Sequence, residues 1–354
     1  MKILQKFKIK KIIFKNRVCI APMCQYSAKN GNPTEWHYKH LEKLMNVGAG
    51  LMIIESTAVS RQGMITNQDL SLRNNDNAKK LNKLIKYIRQ NSETKIGIQL
   101  SHSGRKGSAM VPWIKSNTSL KLSNQGWRTI APSPIKRDKY WPTPKEVNKN
   151  DIKIIINDFV SATKRAKKIG FDCLELHMAH GYLLHQFFSK ISNKRKDKYG
   201  GGLYNRCRLL LEIAKSVRNV WPKNKILGAR VNGSDWLEKG SKVSDCVYLS
   251  KELKKLGLDY VCVTSGGIIP RTNIKFKPGY QVSLAKKIKK ECRILVKTTG
   301  MINDIKHAEK IMINKSADLV SFGRKFINSP YWLIKDLKKE KYSATIPNQY
   351  KRCF

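Results

Sequence analysis

Short apolar runs alternate with longer amphipathic stretches along the whole chain, and this alternation predicts its secondary structure. The apolar runs have the length and composition of buried β-strands, whereas the apolar positions between them recur with helical spacing. The predicted strands are Val18–Ala21, Leu51–Glu55, Lys95–Leu100, Cys173–Leu176, Ile226–Val231, Tyr260–Val263, Ile294–Lys297 and Leu319–Phe322. The predicted helices include Ala78–Arg89, Ile152–Lys168, Arg206–Val220, Val243–Lys255 and Ile302–Ile313.

Eight alternations of strand and helix in one unbroken chain predict a closed parallel (β/α)8 barrel, the TIM-barrel form of the α/β class. Glycine follows two of the predicted helices, at Gly170 and Gly257, where a left-handed helix cap favours it. The main competitor is a doubly wound open sheet, which usually carries a glycine-rich phosphate loop after its first strand. Here the first strand leads into Pro22–Tyr26, which contains no Gly-x-Gly-x-x-Gly, so the sequence favours the barrel.

The chain of 354 residues is long enough for one large barrel or for two ordinary domains. Its 22 glycines and 12 prolines are scattered, and no linker-like tract or shift in composition marks a boundary. We therefore expect a single barrel domain over residues 1–354, with 1–16 as a cap on the barrel, 107–143 as an extended loop and 340–354 as a C-terminal tail.

Polar and reactive side chains concentrate just beyond the predicted strands. Because the carboxyl ends of parallel strands meet at one rim in this fold, we expect these side chains to form one site. In chain order they are Pro22, Cys24, Tyr26, Glu55, Ser56, Gln99, His102, Arg105, Lys106, His177, His180, Tyr182, Arg230, Ser265, Gly266, Gly300, Gly323 and Arg324.

The densest group of these side chains is His177, His180 and Tyr182, which directly follow a buried strand. Neutral imidazoles donate hydrogen bonds and a phenol can give up a proton. Together they could polarise a carbonyl group and protonate the neighbouring carbon, so the pattern indicates catalysis. The alternative is that one histidine caps the following segment and the others are incidental.

Glycines close three of the late strand–helix segments, Ser265–Gly267, Thr298–Gly300 and Phe322–Arg324. Loops at these positions of the fold, with bare backbone amides and an arginine, commonly bind phosphate. Each motif alone is equally typical of an ordinary turn. Together they indicate a phosphorylated cofactor.

The formal net charge of +45 would ordinarily point to nucleic acid, because binding to phosphates releases counterions. The lysines, however, are spread over nearly every predicted helix and accompany much asparagine and isoleucine, as in proteins from genomes rich in A and T. Solvated lysine faces are therefore favoured over a dedicated polyanion site. No specific nucleic-acid partner is expected.

The eight cysteines include no Cys-x-x-Cys pair, and several lie within apolar runs, as buried free thiols do. This usage predicts a reducing, cytoplasmic location, and we expect no metal site. The N-terminal segment 1–8 is interrupted by lysines and lacks the apolar centre of a signal peptide. No apolar run approaches the ~20 residues that span a bilayer, so no membrane association is expected.

Several segments match a known family when they are considered together. They are Asn16–Tyr26, Ile98–Lys106, Gly126–Ser133, Glu175–Tyr182 with Phe188 and Ser189, Tyr199 and Gly200 with Asn205 and Arg206, and Ser321–Arg324. Jointly they resemble the Old Yellow Enzyme family of flavin-dependent ene-reductases, in particular its bacterial NADPH dehydrogenase and xenobiotic reductase branch. The resemblance covers essentially the whole chain.

The resemblance implies an FMN over the barrel mouth, with NADPH or NADH as its reductant. A fixed guanidinium beside the flavin, here Arg230, favours the anionic reduced form over the oxidised form. Cys24 is similar to the cysteine that tunes the flavin potential in this branch, although a small buried thiol such as Cys19 is the alternative interpretation. The implied cofactor contacts come from Ala21, Pro22, Met23 and Cys24 at the ring, Ser56 and Gln99 at its edge, Arg230 near N1 and O2, and Gly300, Gly323 and Arg324 at the phosphate.

The resemblance also implies the roles of the residues that meet the substrate. His177 and His180 would bind the carbonyl oxygen of a small activated alkene, and Tyr182 would donate the proton to the α-carbon. Tyr26 and Lys106 match positions on the substrate side of the flavin, although Lys106 could instead pair with a local carboxylate. Both half-reactions would use one site, so ping-pong kinetics are expected.

The tail around Arg352 is similar to a C-terminal arginine segment that, in part of this branch, reaches into the neighbouring subunit's site. The resemblance therefore implies a homo-oligomer in which Arg352 contributes to substrate binding. A solvated tail residue is the alternative. The segment Gly107–Thr143, with Trp113 and Trp127, instead matches relatives in which aromatic residues serve nearby.

Two other functions were weighed against this one. A tRNA dihydrouridine synthase is also an FMN barrel with an early Ala-Pro-Met. It needs a catalytic cysteine in an Asn-Gly-Cys-Pro-like loop and an added RNA-binding domain, whereas this chain has His-x-x-His-Gly-Tyr at the corresponding strand end. The second alternative is a non-catalytic basic binding protein, which the polar residues kept at every predicted strand end argue against.

Overall fold

The computed structural model describes residues 1–272, 274–342 and 348–353, and its strands and helices alternate along the chain. The strands are β1 (Phe7–Ile9), β2 (Ile12–Phe14), β3 (Val18–Ile20), β4 (Leu51–Ala58), β5 (Lys95–Ser101), β6 (Ile130–Ala131), β7 (Lys145–Glu146), β8 (Cys173–Met178), β9 (Ile226–Asn232), β10 (Tyr260–Thr264), β11 (Leu295–Thr298) and β12 (Leu319–Phe322). The helices are α1 (Glu35–Met45), α2 (Asn75–Asn91), α3 (Lys149–Ile169), α4 (Leu183–Phe188), α5 (Leu203–Val220), α6 (Val243–Lys255), α7 (Val282–Cys292), α8 (Ile305–Ile313), α9 (Arg324–Asn328) and α10 (Trp332–Lys339).

Eight of these strands close into a parallel barrel in the order β10-β11-β12-β3-β4-β5-β8-β9. This confirms the predicted single-domain (β/α)8 TIM barrel, and each barrel strand overlaps one predicted strand. The main core lies between the strands and the surrounding helices, where Ile98, Phe159 and Leu210 are fully buried. Apolar side chains on the outer face of the sheet and on one face of each helix thus hold the two layers together.

The amino end of the barrel is apolar. The hairpin of β1 and β2 is antiparallel, with Phe7 opposite Phe14. Ile9 and Phe14 are buried in one cluster with Cys19 and Cys173, which lie on barrel strands. The hairpin therefore packs against the barrel and covers its amino end with hydrophobic side chains.

Local capping explains where the helices begin and end. Gly170 and Gly257 have φ angles of 93° and 83°, which confirms the predicted left-handed glycines after two helices. Helix α8 begins at Ile305 rather than at the predicted Ile302, because the side chain of Asp304 accepts a hydrogen bond from the amide of His307 and caps the helix there. Among the described residues, no helix combines the length and apolar character needed to cross a membrane.

The long segment between β5 and α3 lies over the carboxyl end of the barrel. It contains β6, which pairs in parallel with β7. Its Trp141 is buried against Ile65 and Ala109, beside Tyr26 and Tyr182. The segment therefore forms one wall of the space above the strand ends.

Candidate active site

A polar layer crosses the barrel interior one step below the carboxyl rim. Gln99 on β5 faces Glu175 on β8, and the carboxylate accepts hydrogen bonds from Nε2 of Gln99 (2.7 Å), the hydroxyl of Tyr260 (2.8 Å) and Nζ of Lys297 (2.7 Å). Gly228 lies between Glu175 and Tyr260 in the strand register, and any side chain there would collide with the Tyr260 ring. All of these groups are buried. An ionised carboxylate in a barrel interior requires such hydrogen-bond partners, because burial of an unpaired charge is costly.

The rim directly above this layer holds the predicted catalytic group. His177 follows Glu175 by two residues on β8 and so points to the same side of the strand. The chain then turns sharply, since His180 and Gly181 both have left-handed φ angles of 57° and 73°. The ring centroid of His177 lies 5.1 Å from that of His180 and 4.9 Å from that of Tyr182. The structure thus brings the three side chains together.

A buried histidine–aspartate pair holds this turn, and the sequence interpretation missed both residues. The Gly181 amide donates to Nδ1 of His185 at 2.7 Å, and Nε2 of His185 lies 2.8 Å from Oδ1 of Asp235. Nδ1 accepts, so the proton of His185 is on Nε2 and faces the carboxylate. Gly181 has no room for a side chain, because one would collide with the carbonyl of Gly267. The sequence signal for this contact was the Gly-x-x-x-His spacing, because residues four apart lie one helical turn from each other.

The two rim histidines are neutral at pH 7. Burial above all, and then the positive charge of Arg230, lowers the pKa of both His177 and His180 well below the usual value. The amide of Ala179 donates to Nδ1 of His177 at 3.3 Å, so the proton of this ring is on Nε2. Nε2 of His180 lies 2.9 Å from the hydroxyl of Thr264. His177 can therefore donate from Nε2, and His180 can donate from Nδ1 when its Nε2 accepts from the Thr264 hydroxyl.

Lys106 lies against the same group. Its Nζ donates to the carbonyl of His180 at 2.8 Å and lies 4.8 Å above the ring of Tyr182, so its partner is a carbonyl rather than the carboxylate considered from sequence. Burial, followed by the nearby charge of Arg137, lowers the pKa of Lys106 to about 7. Burial also raises the pKa of Tyr182, which is therefore a protonated phenol at neutral pH.

Cys24 and Tyr26 lie beside Tyr182 at the rim, in one cluster with Ile65, Ala109 and Trp141. The Ser56 amide and the Tyr26 hydroxyl act on the Cys24 sulfur and lower its pKa, but they are outweighed. Burial, and then the carboxylates Asp69 and Glu55, raises the pKa of Cys24 well above its usual value. Cys24 is therefore a thiol rather than a nucleophilic thiolate.

A cavity of about 630 Å³ opens at this rim, within the size range of cofactor pockets. Two buried polar atoms beside it, Nε of Arg230 and the hydroxyl of Ser321, have no hydrogen-bond partner within the described residues. Unsatisfied buried donors beside a cavity indicate a polar ligand, and arginines with glycine backbone suit a phosphate. Of the predicted cofactor residues, the cavity is lined by Ala21, Pro22, Met23, Arg230, Gly300, Gly323 and Arg324.

Other predicted residues lie outside this lining. Cys24, Ser56 and Gln99 are not among the residues that line the cavity, although Cys24 directly follows Met23. Arg352 is exposed in a C-terminal 3₁₀ helix, Asn348–Cys353. The sequence interpretation missed part of the lining, namely Thr264, Tyr280, Gln281, Met301, Ile302, Asn303, Lys325 and Asn328.

Known proteins resemble this chain in sequence and in fold. A family profile described as the NADH:flavin oxidoreductase / NADH oxidase family matches residues 2–343. An NADPH dehydrogenase of Clostridium acetobutylicum is 39% identical over an alignment of 356 positions, which covers 100% of this chain and 100% of that one. An NADH:flavin oxidoreductase of Gibberella zeae is 40% identical over 346 residues, 93% of this chain and 83% of that one. The structure of morphinone reductase in complex with tetrahydroNAD has a TM-score of 0.79 at 22% identity, over 98% of this chain and 93% of that chain, and so shares the fold.

A closed parallel barrel with this rim and these relatives defines the class of flavin-dependent oxidoreductases. The chain belongs to the NADH:flavin oxidoreductase / NADH oxidase family, the FMN-dependent family of Old Yellow Enzyme. The predicted family, the oxidoreductase activity and the cofactors FMN and NAD(P)H are thereby confirmed. The match favours neither a tRNA dihydrouridine synthase nor a non-catalytic binding protein.

Proposed function

We propose that the protein reduces the carbon–carbon double bond of small α,β-unsaturated carbonyl compounds at the expense of NAD(P)H. The observation that carries this proposal is the convergence of two neutral imidazoles and one protonated phenol, His177, His180 and Tyr182, at the rim of a flavin barrel. When bound, FMN would supply the redox chemistry, accepting two electrons from NAD(P)H and providing a hydride for the β-carbon.

The histidines bind the carbonyl oxygen of the substrate. Because both rings are uncharged, they donate hydrogen bonds to this oxygen without placing a fixed positive charge beside Arg230 and Lys106. Negative charge develops on the oxygen when the β-carbon accepts hydride, and donors aimed at that charge lower the barrier. His177 donates from Nε2, since Nδ1 already accepts from the chain.

Tyr182 supplies the proton that completes the reduction. Its phenol stays protonated at neutral pH because burial raises its pKa. Its ring centroid lies 4.9 Å from that of His177, so the phenol is near enough to act on a carbonyl compound held by the histidines. Addition of hydride and proton gives the saturated carbonyl compound, and solvent restores the phenol proton.

Residues at the rim would hold the cofactor and frame the substrate. We place Ala21, Pro22, Met23 and Cys24 at the flavin ring, Ser56 and Gln99 at its edge, Arg230 near N1 and O2, and Gly300, Gly323 and Arg324 at the phosphate. Tyr26 and Lys106 frame the substrate. We extend the proposal to a homo-oligomer, in which the exposed Arg352 would contribute to the site of a second copy, and to a cytoplasmic location, which the free cysteines favour.

The test separates the two half-reactions by anaerobic stopped-flow absorbance. The His177→Ala/His180→Ala variant should stay yellow and be bleached by NADPH, while reoxidation by 2-cyclohexenone slows by at least about 10²-fold, the usual cost of one lost oxyanion donor. Tyr182→Phe should slow the same step by about 10²- to 10⁴-fold. An unchanged reoxidation rate in the double variant would refute the proposed role of the histidines.

A further inference from the structure

Glu175 and Lys297 form an ion pair in the barrel interior that neither the fold nor the proposed reaction requires. Nζ of Lys297 lies 2.7 Å from Oε2 of Glu175, and both side chains are fully buried. Replacing such a pair by apolar side chains of similar volume often leaves a protein equally stable or more stable. The interiors of these barrels are usually filled by branched apolar residues. The pair therefore calls for a role other than stability.

Glu175 fixes the orientation of the Gln99 amide. Its Oε1 accepts from Nε2 of Gln99 at 2.7 Å, while its Oε2 is used by Lys297 and Tyr260. Because the amide nitrogen is held by the carboxylate, the Gln99 oxygen points away from it as an acceptor. Gln99 therefore presents one defined edge to a group bound above the layer.

Lys297 decides the net charge of this interior. Although burial opposes it, the charge of Glu175 holds the pKa of Lys297 above its usual value, so both partners are ionised. Arg230 contributes a second positive charge, which acts on Glu175 and reaches the cavity itself. With Lys297 present, the three groups leave one net positive charge. Without it, Glu175 would cancel the charge of Arg230.

We propose that Lys297 and Glu175 are positioning residues that set the reduction potential of the bound FMN. Lys297 neutralises Glu175 so that Arg230 remains an uncompensated positive charge beside the flavin, and Glu175 keeps Gln99 in one amide orientation. The inference rests on the proposed placement of Arg230 and Gln99 beside the flavin. Positive charge at that place favours the reduced, anionic cofactor.

The test is the midpoint potential of FMN-loaded protein, measured by anaerobic dye-coupled titration. Lys297→Met removes one positive charge and should shift the redox equilibrium toward oxidised FMN by at least tenfold, or about 30 mV for a two-electron couple. Lys297→Arg keeps the charge and should stay within threefold of the wild type. The Glu175→Gln/Lys297→Met variant restores the single net charge, so its potential should return toward the wild-type value.

Two results would overturn the inference. One is a Lys297→Met potential within threefold of the wild-type equilibrium. The other is a midpoint potential of the Glu175→Gln/Lys297→Met variant that is as low as that of Lys297→Met. Glu175 would then not be the charge that Lys297 offsets. If Lys297→Met does not fold with an unpaired Glu175, Lys297→Gln removes the same charge, keeps a donor for the carboxylate and carries the same expectation.

The outcome is separate from that of the proposed reaction. The potential is measured without any alkene, so a variant series that follows the charge supports the inference even if the wild type fails to reduce enones. Conversely, the protein could reduce enones while the potential of its FMN does not change on substitution of Lys297. That result would support the proposed reaction and contradict only the inference about Lys297 and Glu175.

Discussion

The two ends of the barrel are built from the same strands but differ in the side chains that they bury. At the amino end, the hairpin buries Ile9 and Phe14 against the strand starts, and the contacts are apolar. At the carboxyl end, the strands finish in imidazoles and guanidinium groups, and Nε of Arg230 is buried with no hydrogen-bond partner among residues 1–272, 274–342 and 348–353. One end contributes stability through burial, whereas the other keeps polar groups that none of the described residues satisfies.

Left-handed non-glycine residues occur at both ends of the barrel, for example at Lys10 (φ 53°) in the hairpin, and at the carboxyl end two of them lie at the candidate site. At the carboxyl end, His180 and Tyr26 have left-handed φ angles of 57° and 46°, which non-glycine residues seldom adopt. Both are residues that we place against the substrate. The surrounding structure maintains these conformations, for example through the hydrogen bond from the Gly181 amide to His185. Unfavourable backbone geometry at the rim is thus offset by contacts elsewhere.

The largest expected effect is at the amino end. Phe14→Ala should lower the free energy of unfolding by about 3–5 kcal/mol, because a fully buried aromatic ring leaves a cavity. Turnover below the melting transition should be nearly unchanged. Ile13, which is 52% exposed on the same hairpin, gives the matched control: Ile13→Ala should stay within about 0.5 kcal/mol. Chemical unfolding at one fixed FMN concentration measures both, and a loss of turnover in folded Phe14→Ala would contradict the separation of the two ends.

An intermediate effect is expected from Lys106, on the pH dependence of the free energy of unfolding. Its pKa of about 7 in the folded protein lies below the value of about 10.4 in an unfolded chain. Between these values the unfolded state binds more protons, so this residue makes stability rise with pH from about 7 to about 10, by at most about 1.4 kcal/mol per pH unit. Lys106→Met should lack this contribution.

Urea unfolding at several pH values measures the difference in slope. Lys115→Met, on an exposed lysine of the same segment, is the control and should keep the wild-type slope. Equal slopes for Lys106→Met and the wild type would show that burial does not lower the pKa of Lys106 in the folded protein.

The smallest effect separates unsatisfied groups that face the cavity from those that do not. The hydroxyls of Ser321 and Thr298 are both buried with no hydrogen-bond partner in the described part of the chain, but of the two only Ser321 lines the cavity. Ser321→Ala and Thr298→Val should each change the stability of the apoprotein by no more than about 1 kcal/mol. Only Ser321→Ala should weaken FMN binding, by the roughly 0.5–1.5 kcal/mol of one hydrogen bond. Fluorescence titration with FMN measures it, and equal weakening in both variants would remove the distinction.

The sequence predicted the barrel and much of its rim because both depend on local patterns. Strand and helix periods are readable along the chain, and parallel strands bring their carboxyl ends together whatever the details. Glycine at Gly170 is likewise a local requirement. The start of α8 was placed too early, because the apolar pattern at Ile302 continued past the point where Asp304 caps the helix.

Contacts across the barrel could not be predicted in this way. Glu175 and Lys297 are 122 positions apart, and their meeting depends on the register of β8, β9, β10 and β11 around a closed sheet. The pair of His185 and Asp235 similarly joins a short helix to a loop after another strand. Such contacts arise only when closure fixes which side chains share a layer.

Gly228 limits how this layer can change over time. The aromatic ring at position 260 occupies the volume that any side chain at 228 would need. In descendants of this sequence, a larger residue at 228 is therefore acceptable only after 260 has become smaller. That first step also deletes a hydroxyl that Glu175 uses, so the two positions should vary as a pair and in a fixed order.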